Sequence, residues 1–273
     1  MRIYRTADGV VLEQDLEYRL LRALSWDSLF QQDDLNAYLE EQPFFPLDSF
    51  SLEHLLPPLD RQEVWAAGVT YFRSRTARME ESSQAGGQGF YDRVYEAERP
   101  ELFFKSTAHR TVTHHQAVAV RLDSCWTVPE PELALAISAK GRIFGYTVGN
   151  DMSARDIEGA NPLYLPQAKV YDRSCSLGPG LLVQKEPLSR DTEIRLAIGR
   201  QKREVFSGCT RLSEMRRRPE ELVEYLFRQN SFPHGCFLLT GTGIVPPSDL
   251  TLRSGDEISI SIHPIGTLIN IVE

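Results

Sequence analysis

Residues 128–151 read VPEPELALAISAKGRIFGYTVGND. Two apolar runs, Leu133–Ile137 and Ile143–Val148, flank a short polar stretch, the pattern of a hairpin. Placing the turn on Lys140-Gly141 lets Gly supply the positive φ that a tight loop needs. Glu130 then falls opposite Asp151, and Glu132 opposite Gly149. Side chains two apart, and residues directly opposed, share a face of a sheet. Glu130, Glu132 and Asp151 are therefore expected on one face, at the open end of the hairpin. Pro131 between the glutamates suits a strand end that opens into a cleft. Carboxylates this close repel unless a cation lies between them. An all-oxygen donor set suits Mg²⁺, or Mn²⁺ or Ca²⁺. On spacing alone a solvated acidic strand end is the better supported reading, because a one-residue register slip would scatter the acids.

Outward from this hairpin the chain reads as α+β and β-rich. Val64–Tyr71, Leu102–Lys105, Val118–Leu122 and Cys236–Thr240 are strand candidates. Ile258, Ile260 and Ile262 alternate with polar residues, giving a strand with one wet face, and a last strand follows near 267–272. Pro219–Arg228 carries helical periodicity with Pro at an early position. The first sixty residues differ in texture. A hairpin around Asp8-Gly9 precedes helical periodicity over 15–42, and Pro43, Pro46, Pro57 and Pro58 then punctuate the chain. A small N-terminal α/β domain over 1–60 and a catalytic domain over 61–273 are expected.

The 273 residues carry a net charge of −8, which excludes the basic face that general nucleic-acid binding needs. No run approaches the ~20 apolar residues of a membrane span, and the first residues lack the apolar core of a signal peptide. The four cysteines include no C-x-x-C pair and no zinc spacing, which fits a reducing, cytoplasmic setting. His114 and His115 are read as structural or surface residues. P-loop, dinucleotide and Ser–His–Asp patterns are absent from the sequence.

The motifs E-P-E-L-A-L (130–135), G-Y-T-V-G-N-D-M-S-A-R-D (145–156), Q-A-K-V-Y-D (167–172), L-G-P-G (177–180) and GTGIVPP (241–247) resemble the fumarylacetoacetate hydrolase family. The resemblance implies a mixed β-sandwich roll with a small N-terminal domain. It assigns a divalent metal, usually Mg²⁺, to Glu130, Glu132 and Asp151, and puts Lys169 beside it. It also implies self-association, as a homodimer or a larger assembly such as a homotetramer. Hydrolases of the family carry G-x-N-Y-x-x-H-x-x-E, and their His–Glu pair activates water. Here Ser74 stands at the histidine and Ala77 at the glutamate.

The stretches Y-F-R-S-R-T-A-R-M-E-E-S (71–82), Y-D-R-V-Y-E-A-E-R-P-E-L-F-F-K (91–105) and N-P-L-Y-L-P-Q-A-K-V-Y-D-R-S-C (161–175) resemble the sugar-acid branch, the 2-keto-3-deoxy-D-arabinonate dehydratases. That branch implies loss of water from a small-molecule 2-oxo acid, giving 2,5-dioxopentanoate. The alternatives are an acylpyruvate hydrolase or oxaloacetate decarboxylase, and a non-catalytic metal-binding assembly protein. Lys169 is the expected base, because a lysine beside a divalent cation is pushed toward its neutral form. Glu101 and Glu81 are candidate acids, with Glu101 preferred because a strand holds it. Arg78, Ser82, Lys105 and Thr242 are candidate substrate-binding residues. Arg73 and Arg75 are further candidates for a substrate clamp. Asp172, Arg155 and Asp156 are candidates for orienting Lys169 and Asp151. The glycine-rich segment 83–90 is a candidate lid.

Overall fold

The computed structural model describes residues 1–74 and 93–273. The expectations placed on Arg75, Ala77, Arg78, Glu81, Ser82 and a lid over 83–90 fall outside the described residues. The N-terminal part forms β1 (Arg2–Thr6), β2 (Gly9–Gln14), β3 (Glu17–Leu21), α1 (Trp26–Leu29), α2 (Leu35–Glu40) and β4 (Phe45–Leu47). Then come β5 (Glu63–Gly68), β6 (Glu101–Ser106), β7 (Thr111–Val112), β8 (Ala117–Val118) and β9 (Thr127–Val128). The quoted hairpin is β10 (Pro131–Ile137) and β11 (Ile143–Asp151), followed by β12 (Ser153–Ala154), α3 (Arg155–Ala160) and α4 (Leu165–Lys169). The rest comprises β13 (Cys175–Val183), β14 (Glu193–Arg200), β15 (Arg203–Arg211), α5 (Pro219–Phe227), β16 (Cys236–Leu239), β17 (Glu257–Ile262) and β18 (Gly266–Val272).

These strands build an 11-stranded sheet in the order β4-β3-β2-β1-β13-β11-β10-β16-β5-β6, with β7 paired to β13. A five-stranded sheet, β15-β14-β17-β18-β8, and a two-stranded ladder of β12 and β9 complete the set. The class is the α+β, β-rich one expected. The sequence of β10 shows how the layers meet. Leu133, Leu135 and Ile137 join the core that also holds Ile194, Leu196, Ile258 and Ile260 of the five-stranded sheet. Ala134 and Ala136 point the other way, into a core shared with Leu29, Phe30 and Leu39 of the N-terminal part. Every residue of β10 is buried, as a strand covered on both faces must be.

The register of the hairpin is as expected at its open end: Pro131 pairs with Asn150 and Glu132 with Gly149. The turn is not. Ser138 N donates to Arg142 O at 2.9 Å, and Gly141 N donates to Ser138 O at 2.9 Å. Gly141 has φ +74°. This is a three-residue loop ending on a left-handed glycine, one residue longer than a loop on Lys140-Gly141. A bulge at Phe144, between the pairs Ala136–Gly145 and Ile137–Ile143, takes up the extra residue and restores the register.

Residues 15–42 are not a continuous helix. Asp15 and Leu16 have φ 52° and 65°, and Gln14 pairs with Glu17. That is a two-residue turn with both central residues left-handed, and β3 follows it. Helix appears only as the short α1 and α2, the latter capped by Asp34, whose carboxylate accepts from Ala37 N at 3.2 Å. The first turn also sits one residue earlier than expected, on Ala7-Asp8, since Thr6 pairs with Gly9. The N-terminal strands do not form a sheet of their own, because β1 pairs with β13 in the main sheet. Among the described residues no helix is long and apolar enough to cross a membrane.

Candidate active site

At the open end of the hairpin, Glu130 N donates to Asp151 O at 3.2 Å and Asp151 N returns the bond to Glu130 O at 3.0 Å. This pairing sets the two side chains next to each other on one face, with Glu132 two residues on. One oxygen from each of the three carboxylates can be chosen so that all lie within 4.8 Å of one another. All three residues are buried. Burial pushes the Glu132 carboxyl well above the usual carboxylate range, and the charges of Asp151 and Glu130 push the same way. Lys169 and the Gly241 N–H lower it in part. A hard divalent cation relieves this repulsion, and three carboxylates are the donor set it prefers.

Lys169 stands at the C-terminal end of α4, and its ammonium reaches into the acid cluster. Nζ donates to Glu130 Oε2 at 2.6 Å and to Asp151 Oδ2 at 3.2 Å. Arg155, the first residue of α3, sends Nη2 to Glu130 Oε1 at 2.9 Å. The Gly241 N–H donates to Glu132 Oε2 at 2.5 Å. Thus β10, β11, α3, α4 and the loop after β16 each contribute a fixed group.

Glu101, Phe103 and Lys105 alternate along β6 and share a face. Glu101 and Phe103 line one cavity together with Glu130, Glu132, Asp151, Arg155, Glu158, Lys169 and Thr242. The Glu101 carboxylate occupies the space that a Cβ on Gly68 would take. Glu101 thus lies in the same cavity as Lys169. Thr242 also lines it, with Oγ1 accepting from Ile244 N at 3.2 Å.

Lys105 departs from its expected role in binding substrate. It is wholly buried, and Nζ donates to Met152 O at 3.0 Å and Lys169 O at 2.5 Å. It forms an ion pair with Asp151 Oδ1 at 2.6 Å. Its charge is committed beneath the acid cluster rather than toward the cavity, because a buried ammonium settles where carbonyls and a carboxylate satisfy it. Of the orienting candidates, Arg155 meets Glu130. Asp156 instead accepts from Ser124 Oγ at 2.6 Å and Cys125 N at 2.8 Å, and Asp172 is exposed. Arg73 is exposed too.

Ser74 is buried, donates to Tyr71 O at 2.8 Å and accepts from Tyr71 N at 3.3 Å. Its hydroxyl closes a backbone turn at the position where a hydrolase histidine would stand. Glu158 escaped the sequence reading. It lies one helical turn after Arg155 on α3, is buried in the same cavity, and accepts from Ser153 Oγ at 2.8 Å. The i, i+3 spacing of Arg155 and Glu158 was the available signal.

Residues 80–273 match the family model described as fumarylacetoacetate (FAA) hydrolase C-terminal. The chain belongs to the fumarylacetoacetate hydrolase family. It is 47% identical over 241 residues to a probable 2-keto-3-deoxyxylonate dehydratase of Haloferax volcanii, covering 88% of this chain and 82% of that one. It is 45% identical over 233 residues to a 2-dehydro-3-deoxy-D-arabinonate dehydratase of Saccharolobus solfataricus, covering 83% and 78%. Among solved structures, a 2-keto-3-deoxy-D-arabinonate dehydratase complexed with magnesium and 2,5-dioxopentanoate superposes with a TM-score of 0.86. The two are 35% identical, and 100% of this chain and 99% of that one are covered.

Proposed function

We propose that this protein is a Mg²⁺-dependent hydro-lyase that converts a 2-keto-3-deoxy-pentonate, derived from D-arabinonate or D-xylonate, to 2,5-dioxopentanoate. The observation that carries the reading is Lys169 Nζ, seated between Glu130 and Asp151 in a cavity shared with Glu101. A lysine beside three clustered carboxylates supports a proton-transfer role next to a cation site. The two dehydratase relatives at 47% and 45% identity support the substrate class. Glu130, Glu132 and Asp151 are the residues that would hold Mg²⁺. When bound, Mg²⁺ supplies Lewis-acid polarisation of the substrate's 2-oxo group, which acidifies C3–H.

The remaining work falls to side chains. Lys169 would be pushed toward its neutral amine by a dication at the three carboxylates, and in that form it takes the C3 proton. The C4–O bond breaks with its electron pair leaving on the hydroxyl, which Glu101 protonates, releasing water. C5 then gives up a proton and C3 regains one, and the resulting enol becomes the C5 aldehyde. Thr242, through its hydroxyl and its own N–H, is suited to the substrate carboxylate. Glu81 serves as a second acid, and Arg78 and Ser82 form a substrate rim. The cysteine usage supports a cytoplasmic setting, and likeness to the family supports a homodimer or homotetramer.

A hydrolase acting on acylpyruvates, or an oxaloacetate decarboxylase, is disfavoured by Ser74, whose hydroxyl is tied to Tyr71. The deciding experiment incubates metal-loaded protein with 2-keto-3-deoxy-D-arabinonate and follows 2,5-dioxopentanoate. Turnover abolished by EDTA and by Lys169→Ala is expected. Cleavage of an acylpyruvate without any dehydration would overturn the reading.

A further inference from the structure

Each of the three clustered carboxylates, Glu130, Glu132 and Asp151, has one oxygen beside a fixed partner. Arg155 Nη2 lies 2.9 Å from Glu130 Oε1, the Gly241 N–H lies 2.5 Å from Glu132 Oε2, and Lys105 Nζ lies 2.6 Å from Asp151 Oδ1. Lys169, which touches the opposite oxygens, Glu130 Oε2 and Asp151 Oδ2, marks the side facing the cavity. Among these holders Lys105 differs in one respect. Its ammonium also carries Lys169 O at 2.5 Å and Met152 O at 3.0 Å. One buried charge thus ties an acid on β11 to the main chain of Lys169.

We propose that Lys105 is a positioning residue for the metal centre: it holds Asp151 Oδ1 so that Asp151 ligates through Oδ2 alone, and it fixes the end of α4 that carries Lys169. The proposal rests on the metal-dependent reading above. Lys105 sits on β6, the edge strand of the main sheet, so its link to β11 spans strands that do not pair with each other. Without Lys105 the Asp151 carboxylate loses the ammonium that pairs with Oδ1, and a ligand that must be ordered on binding binds more weakly. Removing the ammonium also removes a repulsion on the dication. A dication held by Asp151 Oδ2 would have that carboxylate between it and Lys105, which would offset the repulsion, so the orienting effect is expected to decide the sign.

The test measures Mn²⁺ binding by calorimetry, without substrate, on the wild-type chain and Lys105→Met, with circular dichroism to check the fold. The expected result is an affinity weakened by about 10- to 100-fold in the variant, the range for loss of an outer partner of a metal ligand. An unchanged or tighter affinity in a folded variant would overturn the proposal. Should Lys105→Met fail to fold, a crystal structure of the Mn²⁺-loaded wild type decides. Monodentate Asp151 with Oδ1 still on Lys105 supports it, and a bidentate Asp151 or a displaced Lys105 ends it. Absence of Mn²⁺ binding by the wild type would instead sink the parent reading. Normal binding without dehydration would fault only the substrate assignment.

Discussion

Glu130 and Asp151 face each other across the last rung of the central hairpin, each donating its N–H to the other's carbonyl at 3.2 and 3.0 Å. The backbone that ends the ladder is therefore the backbone that brings two acids together. Main-chain hydrogen bonds supply the order, and the apolar remainder of β10 and β11, buried on both faces, anchors it.

The pH dependence of the metal-free protein follows from Glu132. Its carboxyl is raised, chiefly by burial and then by Asp151 and Glu130. A raised carboxyl contributes stability that is fully present below its unfolded pKa of about 4.3 and lost as pH rises through the raised value. In EDTA, Glu132→Gln is expected to melt above the wild type at pH 8, with the gap closing near pH 4. Each ~1 kcal/mol recovered corresponds to about 2–4 °C. Thermal melts across this range check it, and a wild type that melts higher at every pH contradicts it.

Arg155 is buried against Glu130 at 2.9 Å. Arg155→Met leaves that carboxylate short of one partner in a dry setting, which costs about 3 kcal/mol, the low end for breaking a buried pair, because Lys169 still reaches Glu130. Urea unfolding of the metal-free variant measures this. A change below ~1 kcal/mol would show that the partners remaining to Glu130, Lys169 among them, neutralise it without Arg155.

Gly68 tests Glu101. A Cβ at this position collides with the end of the Glu101 side chain, a flexible group that can swing aside. Gly68→Ala is expected to displace the carboxylate from the cavity, lowering kcat at least ~10-fold while the melting temperature changes little, in line with loss of a general acid. Steady-state kinetics with calorimetry checks it, and unchanged kcat removes Glu101 from the acid role.

Lys169 should separate chemistry from metal binding. Lys169→Met is expected to lower turnover by about 10²- to 10⁴-fold while Mn²⁺ affinity stays within a few-fold of wild type. Loss of Mn²⁺ binding in a folded variant would mean that Lys169 holds the ligands rather than moving a proton.

Much of this arrangement was legible because strand periodicity is strict. Alternation in E-P-E-L-A-L and the opposed run ending at Asp151 fixed which residues share a face, and a slip by one would have buried the wrong set. The loop was not legible. Gly141 announces a left-handed residue but not whether two or three residues make the turn, and nothing in Phe144 announces a bulge. β3 was hidden for a related reason, since Leu16 is an unusual residue at positive φ and gives no turn signal. The depth of Lys105 was also out of reach. Its pattern places it on a face, but which side of Asp151 that face meets depends on strands far apart in the chain.

The strand order has a consequence for how the molecule comes to be. β16 lies between β10 and β5, antiparallel to the first and parallel to the second, with Leu239 beside both Ala134 and Ala66. Glu132 gains its Gly241 donor only once that late segment has inserted. Contacts this distant in sequence slow folding, because the chain must close large loops before they contribute. On a ribosome, a nascent chain that has not yet reached residue 236 exposes β5 and β10 as open edges, the surfaces most prone to wrong pairing. Competence for chemistry thus waits until residues 236–242 have been made and inserted.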